Sequence, residues 1–154
     1  MFFVLTLLAG CSLNSTRAGL VDASDQHIAL VESSGRTCHL VTSEGSEELR
    51  YLSGCVVEVT GRRAGKRLHV TDWQVTDAGD GSEPYVGRLL SEDGRLMLDA
   101  RSTLAPVALI GEGLAGLSDH IGKPVLVVGF VVGSHAVQVF SWRVLEGDGA
   151  DLQR

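Results

Sequence analysis

The sequence predicts an all-β protein that consists of two small Greek-key β-barrels in tandem, with one short helix. Short runs rich in Val, Ile, Leu and Thr recur along the chain between turns rich in Gly, Ser and Asp, which is typical of short strands. The chain also contains an internal repeat. Its 154 residues, 44% of them apolar, suffice for one domain or two very small ones. This apolar content and the net charge of −6 exclude a disordered polyelectrolyte.

The internal repeat consists of three pairs of similar segments that occur in the same order, with 10 identities over 21 positions. The pairs are Leu30–Arg36 with Leu89–Arg95, Gly54–Gly61 with Gly122–Gly129, and Val70–Val75 with Val139–Val144. Their offsets are 59, 68 and 69 residues. We therefore expect about nine extra residues between the first two segments of the second copy.

Each copy reads as a series of short strands. The strands expected in the first copy are Ile28–Val31, Thr37–Val41, Val56–Thr60 and Leu68–Val75. Those expected in the second copy are Tyr85–Leu90, Leu96–Asp99, Val107–Ile110, Val125–Val132 and Ala136–Val144. The short helix is predicted over Glu112–Ile121, because Leu114, Leu117 and Ile121 are spaced at i, i+3 and i+7. In the first copy this helix is expected to be shortened or missing.

The order of three strands, a short helix and two strands resembles the OB-fold. The segments around Gly54 and Gly122 are similar to the step into the fourth strand in small OB-like domains of exported bacterial proteins. The resemblance covers about 115 residues and implies an OB-like first repeat at 26–78, a linker at 79–84, a second repeat at 85–146 and a tail at 147–154. Units of this size have marginal cores, so we expect the two to pack together.

The N-terminus carries a predicted export signal. Residues Phe2–Gly10 are apolar except for Thr6, which suits the h-region of a signal peptide. Leu8-Ala9-Gly10-Cys11 matches a lipobox, so this segment resembles a bacterial lipoprotein precursor. The resemblance implies a signal peptide at 1–10, lipid attached to Cys11, a tether at 11–25 and an outer-membrane location facing the periplasm. The alternative is a buried N-terminal strand with an ordinary core cysteine.

Two further cysteines, Cys38 and Cys55, are 17 residues apart in strand-like runs. In an oxidising compartment we expect them to form a disulfide; the alternative is two separate buried thiols. No metal site is predicted, because the five histidines are scattered and no C-x₂₋₄-C pair occurs.

Arg62, Arg63, Lys66 and Arg67 form a basic cluster on a predicted hairpin loop of an otherwise acidic chain. Such a cluster suits contact with an anionic surface such as lipid headgroups or lipopolysaccharide. The alternative is an ordinary solvated hairpin tip. We do not expect a nucleic acid partner, because the net charge is −6 and only 5% of the residues are aromatic.

Two further motifs do not lead to a catalytic or cofactor site. Gly111–Gly116 matches G-x-G-x-x-G but lacks the βαβ context of a dinucleotide site, and we interpret it as a loop into the short helix. Ser118, Asp119 and His120 are consecutive, whereas the members of a catalytic triad meet across a fold.

Trp73 and Trp142 occupy equivalent places in the two copies. A ligand platform would explain two exposed tryptophans, but the repetition between flanking valines favours packing in the core or between the repeats.

The sequence therefore predicts a lipid-anchored, non-enzymatic binding or scaffolding module of the bacterial cell envelope that uses no cofactor. Its partner would be an envelope protein or a glycan, bound on a barrel face or on the loops between strands. The main alternative is a protein–protein adaptor with no small ligand. An envelope hydrolase is the third possibility, and it lacks an assembled catalytic constellation in the sequence.

Overall fold

The computed structural model describes residues 14–24, 27–82 and 84–146. The predicted signal peptide, Cys11 and the predicted tail lie outside the described residues. The strands within the described ranges are β1 Asn14–Ala23, β2 Ile28–Val31, β3 Thr37–Val41, β4 Val56–Ala64, β5 Arg67–Asp77, β6 Pro84–Glu92, β7 Arg95–Ala100, β8 Val107–Ile110, β9 Pro124–Val132 and β10 Ala136–Val144. Short 3₁₀ turns span Glu47–Tyr51, Glu112–Leu114 and Leu117–His120.

The strands form two closed barrels with the same topology. The first has the order β1-β2-β3-β5-β4 and closes through pairing of β1 with β4. The second has the order β6-β7-β8-β10-β9 and closes through β6 and β9. In each barrel one pair is parallel, β3 with β5 and β8 with β10, and the others are antiparallel. The predicted all-β fold with two small β domains is confirmed, and the ring order is that of an OB-like barrel.

A β-bulge at the same place in each barrel explains the spacing of the core residues. In β5 the buried residues Leu68, Val70 and Trp73 are spaced by two and then by three. Strict alternation would direct Trp73 outward, but Thr71 is an extra residue in the register with β4, so Trp73 returns to the inner face. Phe140 is the corresponding extra residue of β10.

A glycine lies opposite each bulge. Gly61 and Gly129 have no room for a side chain, because a Cβ there would collide with the backbone carbonyls of His69 and Gln138, respectively. The offset between these glycines is the 68 residues found in the sequence repeat. The second and third pairs of repeat segments therefore mark structurally equivalent positions.

The first pair of repeat segments is not equivalent, and the boundary of the first repeat was wrong. Leu30–Arg36 lies in β2 and its following turn, whereas Leu89–Arg95 lies in β6, the counterpart of β1, and its turn. Both segments are an apolar strand followed by a polar turn and Gly-Arg, which explains their similarity. The true first strand, Asn14–Ala23, falls in the segment predicted as a tether at 11–25. The expected nine extra residues disappear with this correction.

The predicted helix over Glu112–Ile121 is also wrong. The segment forms two 3₁₀ turns separated at Ala115 and Gly116, and Gly116 has a φ of 75°, which breaks the helical path. Ile121, expected on the apolar face, is 49% exposed. The first barrel has the 3₁₀ turn Glu47–Tyr51 in the corresponding connection, as expected for a shortened helix.

The two barrels pack against each other through β9 and the C-terminal part of β5. On β9, Val125 and Val127 belong to the second core, whereas Leu126 and Val128 belong to a cluster with residues of the first barrel. That cluster also contains Trp73, Val86 and Leu145. Because side chains alternate between the two faces of β9, one face packs in the core of the second barrel and the other packs against the first barrel.

Trp73 lies at the contact between the barrels. Its indole N–H donates to the carbonyl of Gly45 at 3.1 Å, and the guanidinium of Arg101 from the second barrel lies 4.3 Å from the ring centroid. Trp142 is half-buried against the second core. The interpretation of both tryptophans as packing residues is confirmed.

Candidate functional site

The end of the first barrel formed by residues 14–17, 32–39 and 62–67, here called the basic end, concentrates positive charge. It comprises the start of β1, the turn between β2 and β3, and the hairpin between β4 and β5. These segments adjoin one another because Asn14 pairs with Arg62 across β1 and β4, and His39 pairs with Arg67 across β3 and β5. The fold therefore unites charges that are up to about fifty residues apart in the sequence.

The charge of the basic end contrasts with that of the remaining chain. Its charged residues, apart from His39, are Arg17, Glu32, Arg36, Arg62, Arg63, Lys66 and Arg67. It thus holds six of the 13 Lys and Arg residues and one of the 19 Asp and Glu residues. The other parts of the chain carry seven cations against 18 carboxylates, so the protein is strongly polarised in charge.

A groove of about 380 Å³ opens at the basic end. Four cationic side chains line it: Arg17 from β1, Arg36 from the β2–β3 turn, and Arg63 and Lys66 from the β4–β5 hairpin. Glu32 is the acidic residue in the lining. With His39 neutral, the lining carries a net charge of +3.

Glu32 connects two of these arginines. One carboxylate oxygen, Oε1, accepts from Nη1 of Arg17 at 3.2 Å. The other, Oε2, lies 3.7 Å from Nε of Arg36 and accepts from the hydroxyl of Ser34 at 3.3 Å. The Glu32 side chain is 15% exposed, whereas that of Arg36 is 77% exposed. The carboxylate thus anchors guanidinium groups that reach toward solvent.

The basic end is remote from the second barrel. Contacts between the barrels involve the β3–β4 connection, Cys55 and the part of β5 from Trp73 onward. Trp73 follows Arg67 by six residues along β5, which corresponds to about 20 Å. The predicted cluster Arg62, Arg63, Lys66 and Arg67 is exposed on its hairpin, and no residue of the second barrel lines the groove.

Three residues of the groove were missed from the sequence. Arg17 and Arg36 extend the predicted cluster, and Glu32 organises it, while Arg62 and Arg67 lie outside the groove lining. The sequence does not predict the position of Arg17, because its strand falls in the segment expected to be a tether. The alternation of buried and exposed residues near the end of β1, such as Gly19 and Val21 against Leu20, was the available signal.

The predicted disulfide between Cys38 and Cys55 is wrong: both thiols are free. Cys38 lies at the basic end, with its sulfur 3.7 Å from the carbonyl oxygen of Lys66. Cys55 lies just before β4, whose other end, Ala64, is at the basic end. Ala64 follows Cys55 by nine residues, which corresponds to about 30 Å along the strand, whereas bridged cysteines have Cα atoms about 4–7 Å apart.

Cys55 is instead a buried thiol at the contact between the barrels. Its sulfur donates to the carbonyl of Ala78 at 3.5 Å and accepts from a guanidinium nitrogen of Arg143, which belongs to the second barrel. Burial raises the pKa of this thiol above its ordinary value of 9.0, and the nearby Arg143 opposes the shift. The alternative of separate thiols is therefore the observed one, although Cys38 is only half-buried.

The remaining candidate motifs have structural explanations. Gly111 and Gly116 have φ values of 111° and 75°, and a side chain at Gly113 would collide with the backbone of β10. Ser118, Asp119 and His120 lie on one 3₁₀ turn, with Ser118 and Asp119 exposed. In residues 14–24, 27–82 and 84–146, no group of three His, Cys, Asp or Glu side chains is placed to hold a metal ion.

No helix in the described part of the chain is long and apolar enough to cross a membrane. Comparison of the sequence with family models and with curated proteins found no match.

Proposed function

We propose that the chain is a lipid-anchored, non-enzymatic binding module of the bacterial envelope whose basic end faces the headgroups of a membrane. The observation that carries the proposal is the position of the start of β1. Asn14 is paired with Arg62 at the basic end, and it follows Cys11, the predicted site of lipid attachment, by three residues. Anchor and positive charge would therefore meet at the same end of the molecule.

The short distance to the anchor supports this orientation. Three residues span at most about 11 Å, close to the Debye length of about 8 Å at physiological ionic strength. Cations held that near an anionic surface are attracted to it, each by about 1 kcal/mol. The other parts of the chain, with seven cations against 18 carboxylates, would be repelled. Both effects favour an orientation in which the second barrel projects away from the membrane.

Intact mass tests the anchor. Protein purified from the membrane fraction is expected to begin at Cys11 and to carry added acyl mass, and the Cys11→Ala variant is expected to lack both. A membrane-derived chain that retains residues 1–10 without acyl mass would overturn the proposal.

Vesicle flotation tests the basic end independently of the lipid. The chain from residue 11 to 154 with Cys11→Ser contains both barrels and is mixed with vesicles rich in phosphatidylglycerol. The double variant Arg62→Gln with Arg67→Gln is expected to weaken binding about thirtyfold, because two cations are lost at about 1 kcal/mol each. The matched control, Arg50→Gln with Arg95→Gln, removes the same charge from exposed positions elsewhere and is expected to bind as before. Equal effects of the two doubles would contradict the proposed orientation.

A second candidate function, a protein–protein adaptor, is supported by an apolar patch on the second barrel. Phe130 and Phe140 are 51% and 62% exposed, and their ring centroids are 5.4 Å apart. Val132, two residues further along β9 on the same face as Phe130, is 40% exposed. Exposed apolar patches are typical of interaction surfaces. Loss of a co-purifying envelope protein in the variant Phe130→Ser with Phe140→Ser, but not in Arg62→Gln with Arg67→Gln, would favour this function.

A further inference from the structure

We propose that the groove at the basic end binds the phosphomonoester headgroup of a membrane lipid, with Glu32 holding Arg17 and Arg36 in position for it. The proposal rests on the proposed function, because only a membrane-facing groove meets such a headgroup. It goes further by naming the ligand chemistry and by separating the groove residues from the other cations of the same hairpin.

The charge of the groove selects a dianion over a monoanion. Its lining combines four cations with one carboxylate, a net charge of +3. A phosphodiester or a carboxylate carries one negative charge, whereas a phosphomonoester carries about 1.5 to 2 at neutral pH and presents three acceptor oxygens. Arginine has a planar fork of donors that matches such oxygens in pairs, and three of the four cations are arginines.

Two of these arginines already have partners at the basic end. Nε of Arg17 donates to the hydroxyl of Ser15 at 3.4 Å, and Nε of Arg36 donates to the hydroxyl of Ser34 at 3.3 Å. Glu32 contacts both guanidinium groups through separate oxygens. Charged groups held in this way lose less rotamer freedom when they bind an anion.

The β4–β5 hairpin, which is separate from β1 and the β2–β3 turn, forms the opposite wall of the groove. Nε of Arg63 donates to the carbonyl of Gly65 at 3.0 Å, which directs Arg63 along its own hairpin turn, and Lys66 follows in the same turn. Cations from two separate turns and from β1 thus converge on one groove. Its volume of about 380 Å³ lies in the range of small-ligand sites, about 300–1,000 Å³.

Glu32 separates this proposal from simple charge attraction, because the two differ in what they predict for the preference between lipids. Replacing Glu32 by glutamine makes the basic end more positive by one unit. Charge attraction alone would then strengthen binding to every anionic vesicle. If Glu32 positions the arginines, the same variant gains general attraction but loses its preference for a phosphomonoester.

The experiment compares vesicles that contain phosphatidic acid, a phosphomonoester lipid, with phosphatidylglycerol vesicles of equal surface potential. The 11–154 chain with Cys11→Ser is expected to bind phosphatidic acid about tenfold more tightly. In Arg36→Gln and in Glu32→Gln, the ratio of the two vesicle affinities is expected to fall to about one. Arg67→Gln removes the same charge as Arg36→Gln outside the groove lining, so both affinities should fall with the ratio unchanged. Thermal unfolding of each variant verifies that it is folded.

Each outcome distinguishes the groove from the anchor. A ratio near one, or a ratio that Arg67→Gln lowers as much as Arg36→Gln, overturns the groove proposal and leaves the proposed function standing. Binding of glycerol 3-phosphate in solution without a preference between the vesicles overturns the lipid source of the ligand. A groove-dependent preference, combined with membrane-derived native protein that has no acyl mass on Cys11, would uphold the groove and overturn the anchor.

Discussion

Replacing Leu126 by alanine is expected to destabilise both barrels, because this residue of the second barrel is buried by the first. Leu126 is 3% exposed and belongs to the cluster that contains Trp73. A buried leucine shortened to alanine typically costs about 2–5 kcal/mol. With a urea m-value of about 2 kcal/mol/M, a loss of about 3 kcal/mol lowers the unfolding midpoint by about 1.5 M.

The two tryptophans of the chain allow each barrel to be followed separately. Trp142→Phe leaves Trp73 as the fluorescent reporter of the first barrel, and Trp73→Phe leaves Trp142 as the reporter of the second. Leu126→Ala should lower the midpoint reported by both. Phe130→Ala is the matched control, since Phe130 lies on the same face of β9 and is 51% exposed. Its midpoint should change by less than about 0.5 M.

Two results would refute the packing of the barrels into one unit. One is a Leu126→Ala midpoint no lower than that of Phe130→Ala. The other is a shift in the Trp142 signal without a shift in the Trp73 signal, which would mean that the barrels unfold independently.

The bulge and the free thiols lead to further predictions. Gly61→Ala should lower the free energy of unfolding by about 3 kcal/mol, because the added Cβ meets the carbonyl of His69. Gly65, which has a positive φ and open space around it, is the control, and Gly65→Ala should cost about 1 kcal/mol. Equal costs would contradict the bulge assignment. Iodoacetamide should modify Cys38 in the folded protein and Cys55 only after unfolding, as measured by mass spectrometry. A mass lower by two hydrogens before reduction would show that the disulfide forms after all. Because burial raises the pKa of the Cys55 thiol, stability should fall as the pH rises above 9.0, and Cys55→Ala should reduce this fall.

The sequence predicts the fold class and most strands, because alternation and turn residues are local signals. Every strand predicted from Ile28 onward is present. The sequence does not predict the first strand, because its first half is polar and rich in small residues. The similar turns that follow Leu30 and Leu89 also align the two copies in the wrong register. The true alignment of the two copies pairs Gly19 with Gly87. Glycine is needed at these positions because neighbouring strands approach closely there, which is a property of the folded chain.

The candidate site was predictable only in part, because its charges come from distant segments. The hairpin cluster around Lys66 is continuous in the sequence. Its union with Arg17 and Arg36 depends on barrel closure, which no local pattern specifies. The disulfide prediction failed for the same reason: 17 residues of separation allow a bridge, but Cys38 and Cys55 lie at opposite ends of the barrel.

Depth-dependent quenching measures how the first barrel is oriented on the membrane. A fluorophore is attached to Ala64→Cys at the basic end or to Glu44→Cys in the β3–β4 connection, both exposed positions, in the lipidated protein with Cys38→Ser. The protein is reconstituted into vesicles that contain nitroxide-labelled headgroups. Strong quenching is expected at residue 64 and weak quenching at residue 44. Equal quenching at the two positions, or stronger quenching at residue 44, would show that the basic end does not face the membrane.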